Sequence, residues 1–197
     1  MGKIFYVIGK SSSGKDTIYR ELIEKKELNL KQLILYTTRP IRSGEEDGVE
    51  YFFVTESKFN KMKEEGLVIE SRAYNTAHGK WIYFTANDGQ ITLNYKIGYL
   101  ATGTIASYVS TKDYYGEENV IPIYIELEDG IRLQRALERE KKQKEPKYIE
   151  MCRRFLADAK DFSEEEIQKA NIQKKFCNED LTHCVSEIID YISECML

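Results

Sequence analysis

Proline is scarce in this chain: three residues in 197, against twelve glycines. With 42% hydrophobic and 31% charged residues, that composition excludes a fibrous or disordered polymer and suits one globular unit. Long apolar runs are missing. No stretch approaches the roughly 20 residues needed to cross a bilayer, and the opening Met1-Gly-Lys-Ile-Phe-Tyr-Val-Ile-Gly9 lacks the apolar segment and cleavage site of a signal peptide. A soluble, cytoplasmic protein without membrane partners is the expectation. An excess of positive charge is missing too: Lys+Arg 29 against Asp+Glu 33 leaves −4. That disfavours a broad nucleic-acid surface, so any anion site must be local. Cysteine is sparse and unpaired. Cys152, Cys177, Cys184 and Cys195 show no C-x-x-C spacing, which argues against a disulfide framework or zinc ribbon and for reduced, packed thiols. Internal repeats, low-complexity blocks and Ser/Gly linkers are also absent, which favours one continuous domain.

Short apolar runs at 3–8, 33–36, 99–101, 120–127 and 172–177 read as strands. They alternate with amphipathic stretches at 17–26, 103–111, 129–142, 147–162 and 180–192, which read as helices. Such alternation predicts an α/β fold, a parallel sheet with helices on both faces. The stretch 50–85 breaks the rhythm. Tyr51-Phe-Phe-Val54, a helix over 56–65, and strands at 67–73 and 81–85 joined by a His78-Gly79-Lys80 turn form a small mixed α+β insertion. The segment 138–147 is so charged, with Pro146 near its end, that it must lie outside any core, as a mobile flap or a solvated helical hairpin.

Two constellations carry chemistry. Gly9-Lys10-Ser11-Ser12-Ser13-Gly14-Lys15-Asp16-Thr17 lies between a predicted strand and a predicted helix. Its G-x-x-x-x-G-K spacing supplies close backbone approach, inward amides, a helix N-terminus and an ammonium, the needs of a bound phosphate chain. Asp16 stands where a hydroxyl usually meets Mg²⁺, with Thr17 one place later. A carboxylate there either faces Mg²⁺, directly or through water, or turns away as an acidic residue of the first helical turn. Farther on, Arg39 and Arg42 flank Pro40 on a loop and form a fork suited to a phosphomonoester, to which Tyr51 can add a hydroxyl.

The pattern Thr37-Thr-Arg39-Pro-x-Arg42-x-Gly44-Glu-x-Asp-Gly48-x-x-Tyr51-x-Phe53-Val54, downstream of that loop, resembles the guanylate kinase family, and Asn178-Glu-Asp-Leu181 resembles its late turn. The resemblance implies a P-loop nucleoside-monophosphate-kinase fold. Its core covers about 1–36, 86–128 and 163–197, its GMP-binding insertion about 37–85, and its helical lid about 129–162. It further implies Mg²⁺-dependent transfer of the γ-phosphoryl of ATP to GMP, and to dGMP. Arg39, Arg42, Tyr51 and Tyr83 would hold the GMP phosphate, with Trp81 a rival for the tyrosine's place. Glu70 would accept from guanine N1–H and the 2-amino group, and Thr85 would meet O6. Lys15, Arg135, Arg139 and Arg154 would serve the transferring phosphoryl group, with Arg153 able to replace Arg154. Asn178 would lie near the adenine.

Departures from the family pattern leave alternatives open. Leu35 stands where a guanine-contacting serine is usual, Tyr83-Phe-Thr85 replaces Tyr-Gly-Ser, and Tyr99-Leu-Ala-Thr-Gly103 lacks the aspartates that help arrange Mg²⁺. Asp16 can offset that loss as a metal-side carboxylate, with Thr17 beside it. A monophosphate kinase of altered base choice and a catalytically weak binding module are the rival readings. The sequence does not decide between monomer and homodimer.

Overall fold

The computed structural model describes residues 2–42, 44–76, 79–93 and 97–197. In β1 (Lys3–Gly9), residues alternate between two apolar clusters. Ile4, Tyr6 and Ile8 enter one, Phe5 and Val7 the other, and all five are fully buried. Two-sided burial is what a central parallel strand demands of its sequence. Each such side chain contributes about 1.5–3 kcal/mol by leaving water.

Around β1 lie β2 (Leu30–Gln32), β7 (Gly98–Gly103), β8 (Val120–Glu126) and β9 (Lys175–Cys177), in the order β2-β7-β1-β8-β9 and all parallel. Helices α1 (Lys15–Glu24) and α7 (Leu181–Met196) bring Ile18, Leu22, Ile188 and Ile192 to the Phe5 face. Helices α3 (Ile105–Tyr115) and α6 (Glu164–Lys169) bring Ile105, Tyr108 and Ile167 to the Tyr6 face. The α/β architecture with helices on both faces is as expected. Connections after β1 and β8 lead to opposite edges of the sheet, which opens a crevice at the ends of these strands.

A second sheet, ordered β4-β3-β6-β5, combines β3 (Tyr36–Thr37), β4 (Phe52–Phe53), β5 (Val68–Thr76) and β6 (Gly79–Ala86). The β3–β4 pair is parallel and the β3–β6 and β5–β6 pairs are antiparallel. Helix α2 (Glu56–Glu64), capped by Thr55 Oγ1, sets Phe59 and Met62 against Ile82 and Phe84 beneath this sheet. The strands run longer than 67–73 and 81–85, and His78 of the expected turn lies outside the described residues.

The run 33–36 differs from its reading as a core strand. The Leu33 N–H still bonds the Leu100 carbonyl of the core sheet at 2.8 Å, while Tyr36 pairs with Phe52 and Phe84 of the second sheet. The run is apolar because Leu33 and Leu35 are buried where the chain crosses between sheets. Helices α4 (Asp129–Lys141) and α5 (Tyr148–Asp161) form a hairpin with an exposed turn over 142–147. Glu140 is an exception to the polar surface reading. It is buried, accepting the Lys147 N–H at 2.9 Å and thereby tying the turn.

Candidate active site

The loop from Gly9 to Lys15 joins β1 to α1 with Ser12 at φ 63° and Gly14 at φ 91°. A β-carbon on Gly14 would overlap the Asn178 side-chain amide, so close approach as well as backbone sign fixes this glycine. The Ser13 N–H bonds the Lys10 carbonyl at 3.1 Å and the Thr17 N–H the Gly14 carbonyl at 3.0 Å, while the amides of Gly14, Lys15 and Asp16 have no acceptor among the described residues and are available to an anion. Ser13 is fully buried, and the hydroxyls of Ser12 and Ser13 have no partner among the described residues. The Lys15 ammonium stands 3.5 Å from Asp16 Oδ1. Asn178, also buried, donates from Nδ2 to the Ser13 carbonyl at 2.7 Å, while Arg135 donates to the Asn178 carbonyl at 3.1 Å. Their side chains therefore brace the loop, and the Asn178 amide nitrogen expected near a base is engaged with Ser13.

Sequence reasoning missed the residue that grips this loop hardest. Arg132, 1% exposed, donates to the Ser11 carbonyl at 3.1 Å and to Asp158 Oδ2 at 2.9 Å, pairs with Asp129, and lies over the Phe155 ring. The same Asp158 oxygen accepts the Ser11 N–H at 2.7 Å. Both polar groups of the Ser11 backbone are thus clamped by the helical hairpin. Lys10 leans 3.4 Å from Asp129. Burial of an arginine this complete costs several kcal/mol unless every donor finds an acceptor, which explains the convergence of carboxylates and carbonyl on it.

A cleft of about 990 Å³ opens between the loop, the second sheet and the hairpin. It is lined by Ser11 and Lys15 of the loop, by Arg42, Tyr51 and Tyr83 of the insertion, and by Arg154 of α5. Its charged lining is lopsided: Lys15, Arg42, Arg72, Lys147, Arg153 and Arg154 against Glu150 alone. In a chain of net charge −4 this is a local concentration of cations, the form that any anion site here would have to take. Arg153 and Arg154 both reach Glu150, at 2.7 and 2.9 Å, and their hydrogen bonds hold its carboxyl down at about 2. Arg139 lines an adjoining cavity of about 500 Å³ with Arg42, Trp81 and Arg154. Arg42 lies over the Trp81 ring, 5.9 Å from its centroid.

Arg39 sits beneath this surface. It is 3% exposed and forks onto both oxygens of Glu45 at 2.8 Å, flanked by the Tyr51 and Phe53 rings. The hydrogen bond to Glu45 raises its pKa and lowers that of Glu45. Tyr51 packs edge-on against Tyr83 at 5.6 Å, and its phenol is pushed up chiefly by burial. Arg39 was expected to face the phosphate directly. Here it carries the Tyr51 wall and the loop that bears Arg42.

Glu70 and Thr85 are likewise covered, and what covers them is a residue that the motif reading passed over. The Glu70 side chain is 6% exposed. Its Oε1 accepts from Thr85 at 2.7 Å and from Arg72 at 3.2 Å, and its Oε2 accepts from Arg72 Nε at 3.0 Å. Burial alone would lower the pKa of Arg72, but Glu70, with Tyr6 and Tyr74, more than compensates and raises it. Arg72, and not Glu70, lines the cleft.

Asp16 is exposed on the first turn of α1 beside Lys15, a hard oxygen donor at the mouth of the loop. Among the described residues no three His, Cys, Asp or Glu side chains converge into a cage for a metal. That donor set suits an ion such as Mg²⁺ only if phosphate oxygens and water supply most of its ligands, as is usual for phosphate-bound magnesium.

Residues 1–87 match the model of the guanylate kinase family. The guanylate kinase of Malacoplasma penetrans is 45% identical over 69 residues, 35% of each chain. That of Clostridioides difficile is 39% identical over 79 residues, 40% of this chain and 38% of its own. These matches span little more than a third of the relatives' length. Over the rest, similarity is carried by shape. The crystal structure of guanylate kinase from Anaplasma phagocytophilum superposes with a TM-score of 0.67 at 20% identity, covering 100% of this chain and 87% of that one, which establishes the fold.

Proposed function

We propose that the protein is an ATP:GMP phosphotransferase, moving the γ-phosphoryl of ATP to GMP to give ADP and GDP. The observation that carries this reading is the single cleft in which a phosphate loop with Lys15, the acceptor-side Arg42, Tyr51 and Tyr83, and the hairpin arginine Arg154 face one another. The match of residues 1–87 to the family model and the shared fold support it.

On this reading the loop amides and Lys15 hold the outer phosphates of ATP. Arg42 and the Tyr51 and Tyr83 hydroxyls hold the acceptor phosphate in line with it, with Arg39 buttressing Tyr51. Segment 129–162 is the lid. Arg153 and Arg154 exchange Glu150 for the transferring group, while Arg139 closes from α4. Glu70, Arg72 and Thr85 form the floor beneath the base. Mg²⁺, held on the protein side by Asp16 and Thr17, would supply charge neutralisation between the phosphates. Alignment and charge stabilisation do most of the catalytic work in such transfers, and no covalent enzyme intermediate is required.

A coupled ADP-release assay with GMP, dGMP, AMP, UMP and CMP, with and without Mg²⁺, tests the assignment. Lys15→Ala should lower kcat by about 10²-fold or more while GMP affinity is nearly kept. Near-normal turnover in that variant, or no nucleotide-dependent ADP release by the wild type, would refute it.

A further inference from the structure

The base floor contains an ion pair whose geometry decides what the site can read. A carboxylate offers about four lone-pair positions, two on each oxygen. Glu70 Oε1 has spent both, on Thr85 and on Arg72, and Oε2 has spent one on Arg72 Nε. A guanine held by its N1–H and 2-amino group needs a free position on each oxygen, and Oε1 has none. Arg72 has taken the place of the base, because its side-on fork makes the same two-point contact with the carboxylate. Of its five N–H hydrogens, two go to Glu70 and a third goes to Thr104 Oγ1 at 3.3 Å, leaving two without a partner among the described residues. The guanidinium that bears them lines the cleft, where the carboxylate does not.

We propose that Arg72 is the specificity-determining residue of this site. By capping Glu70 it turns a floor of acceptors into a floor of donors, which reads the 6-oxo edge of a purine and leaves the 2-amino group unread. Guanidinium donors match the O6 and N7 acceptors of a 6-oxopurine. Adenine presents an amino donor in place of O6 and is refused. Hypoxanthine has the same O6 and N7 as guanine and lacks only the group that Glu70 can no longer contact. The substrate class is therefore the 6-oxopurine nucleoside monophosphates, with IMP accepted beside GMP. This inference rests on the phosphotransferase reading above.

The test compares kcat/KM for GMP, IMP and AMP in the wild type and in Arg72→Ala and Arg72→Lys, with calorimetric binding of GMP and IMP to each. In the wild type, GMP and IMP should differ by less than about tenfold. Arg72→Ala frees the buried carboxylate to read the 2-amino group, so GMP preference should rise to about a hundredfold, chiefly through KM. Arg72→Lys keeps the charge but lacks the planar fork, and should fall between. A wild-type preference for GMP above about tenfold overturns the inference, whatever the variants do, as does an unchanged ratio in folded variants. Binding of both nucleotides without turnover would sink the phosphotransferase reading alone, with the binding ratio still judging Arg72. Binding of neither would sink both.

Discussion

Gly14→Ala is the substitution whose cost the structure specifies most closely. Two separate penalties apply. The first is backbone: φ is 91°, and an L-residue in the left-handed region costs about 1–2 kcal/mol. The second is contact: the new methyl would occupy the space of Asn178 Nδ2, forcing that amide off the Ser13 carbonyl it now meets at 2.7 Å. Orphaning a buried acceptor costs a further 1–3 kcal/mol or so, for a total of about 2–5 kcal/mol. Gly66 provides the control. Its φ is also positive, at 73°, and nothing lies within 4 Å of a β-carbon there, so Gly66→Ala should cost only the backbone part. Asn178→Ala completes a cycle. With the amide already gone, Gly14→Ala should fall back to about 1–2 kcal/mol, a non-additivity expected only of groups in contact. Urea denaturation midpoints of the four variants, at constant m-value, measure each quantity. The reasoning fails if Gly14→Ala costs no more than Gly66→Ala, or if the cycle is additive.

Two further outcomes concern the hairpin. Arg132→Met removes the only buried cation at the Ser11 clamp among the described residues and leaves the Asp158 carboxylate, 13% exposed, with the Ser11 N–H but no countercharge. Breaking such a pair from one side should cost about 3–5 kcal/mol, which in a domain of this size calorimetry reads as roughly 6–20 °C in Tm. Glu150 has a pKa lowered from 4.5 to about 2 by its hydrogen bonds with Arg153 and then Arg154. The unfolded chain therefore takes up this proton before the folded one does. The contribution of Glu150 to stability is complete above about pH 4.5 and is lost as pH falls through about 2. Glu150→Gln should flatten that part of the stability profile, and a carboxyl signal of Glu150 titrating near 4.5 in the folded protein would contradict the arrangement.

What the sequence made legible was whatever local chemistry alone determines. The glycine-rich turn between β1 and α1 could be read from spacing because its signal is backbone, with Gly14 at φ 91°, although the close approach of Asn178 to Gly14 and of Ile125 to Gly9 is tertiary and does not show in the spacing. Strand β1 could be read because every residue from Ile4 to Ile8 is buried. β2 could not, for Leu30-Lys31-Gln32 is a three-residue edge strand with two exposed side chains, and the apolar run beside it belongs to the crossing between sheets. On α4 the arginines at 132, 135 and 139 offer the same charge. Which of them is buried depends on Asp158, on a different helix.

Arg72 differs from these, because its signal was local and went unused. Residues two apart on a strand project from the same face, so a strand through Glu70-Ser-Arg72 places opposite charges side by side before any tertiary contact is known. In water such a pair is worth little. Here the Glu70 side chain is 6% and the Arg72 side chain 19% exposed, and partners that have lost their water must satisfy each other. A motif that assigns Glu70 to a base reads one residue of a pair. Strand periodicity, applied to the next charged position along, turns the question from whether Glu70 is present to whether it is free.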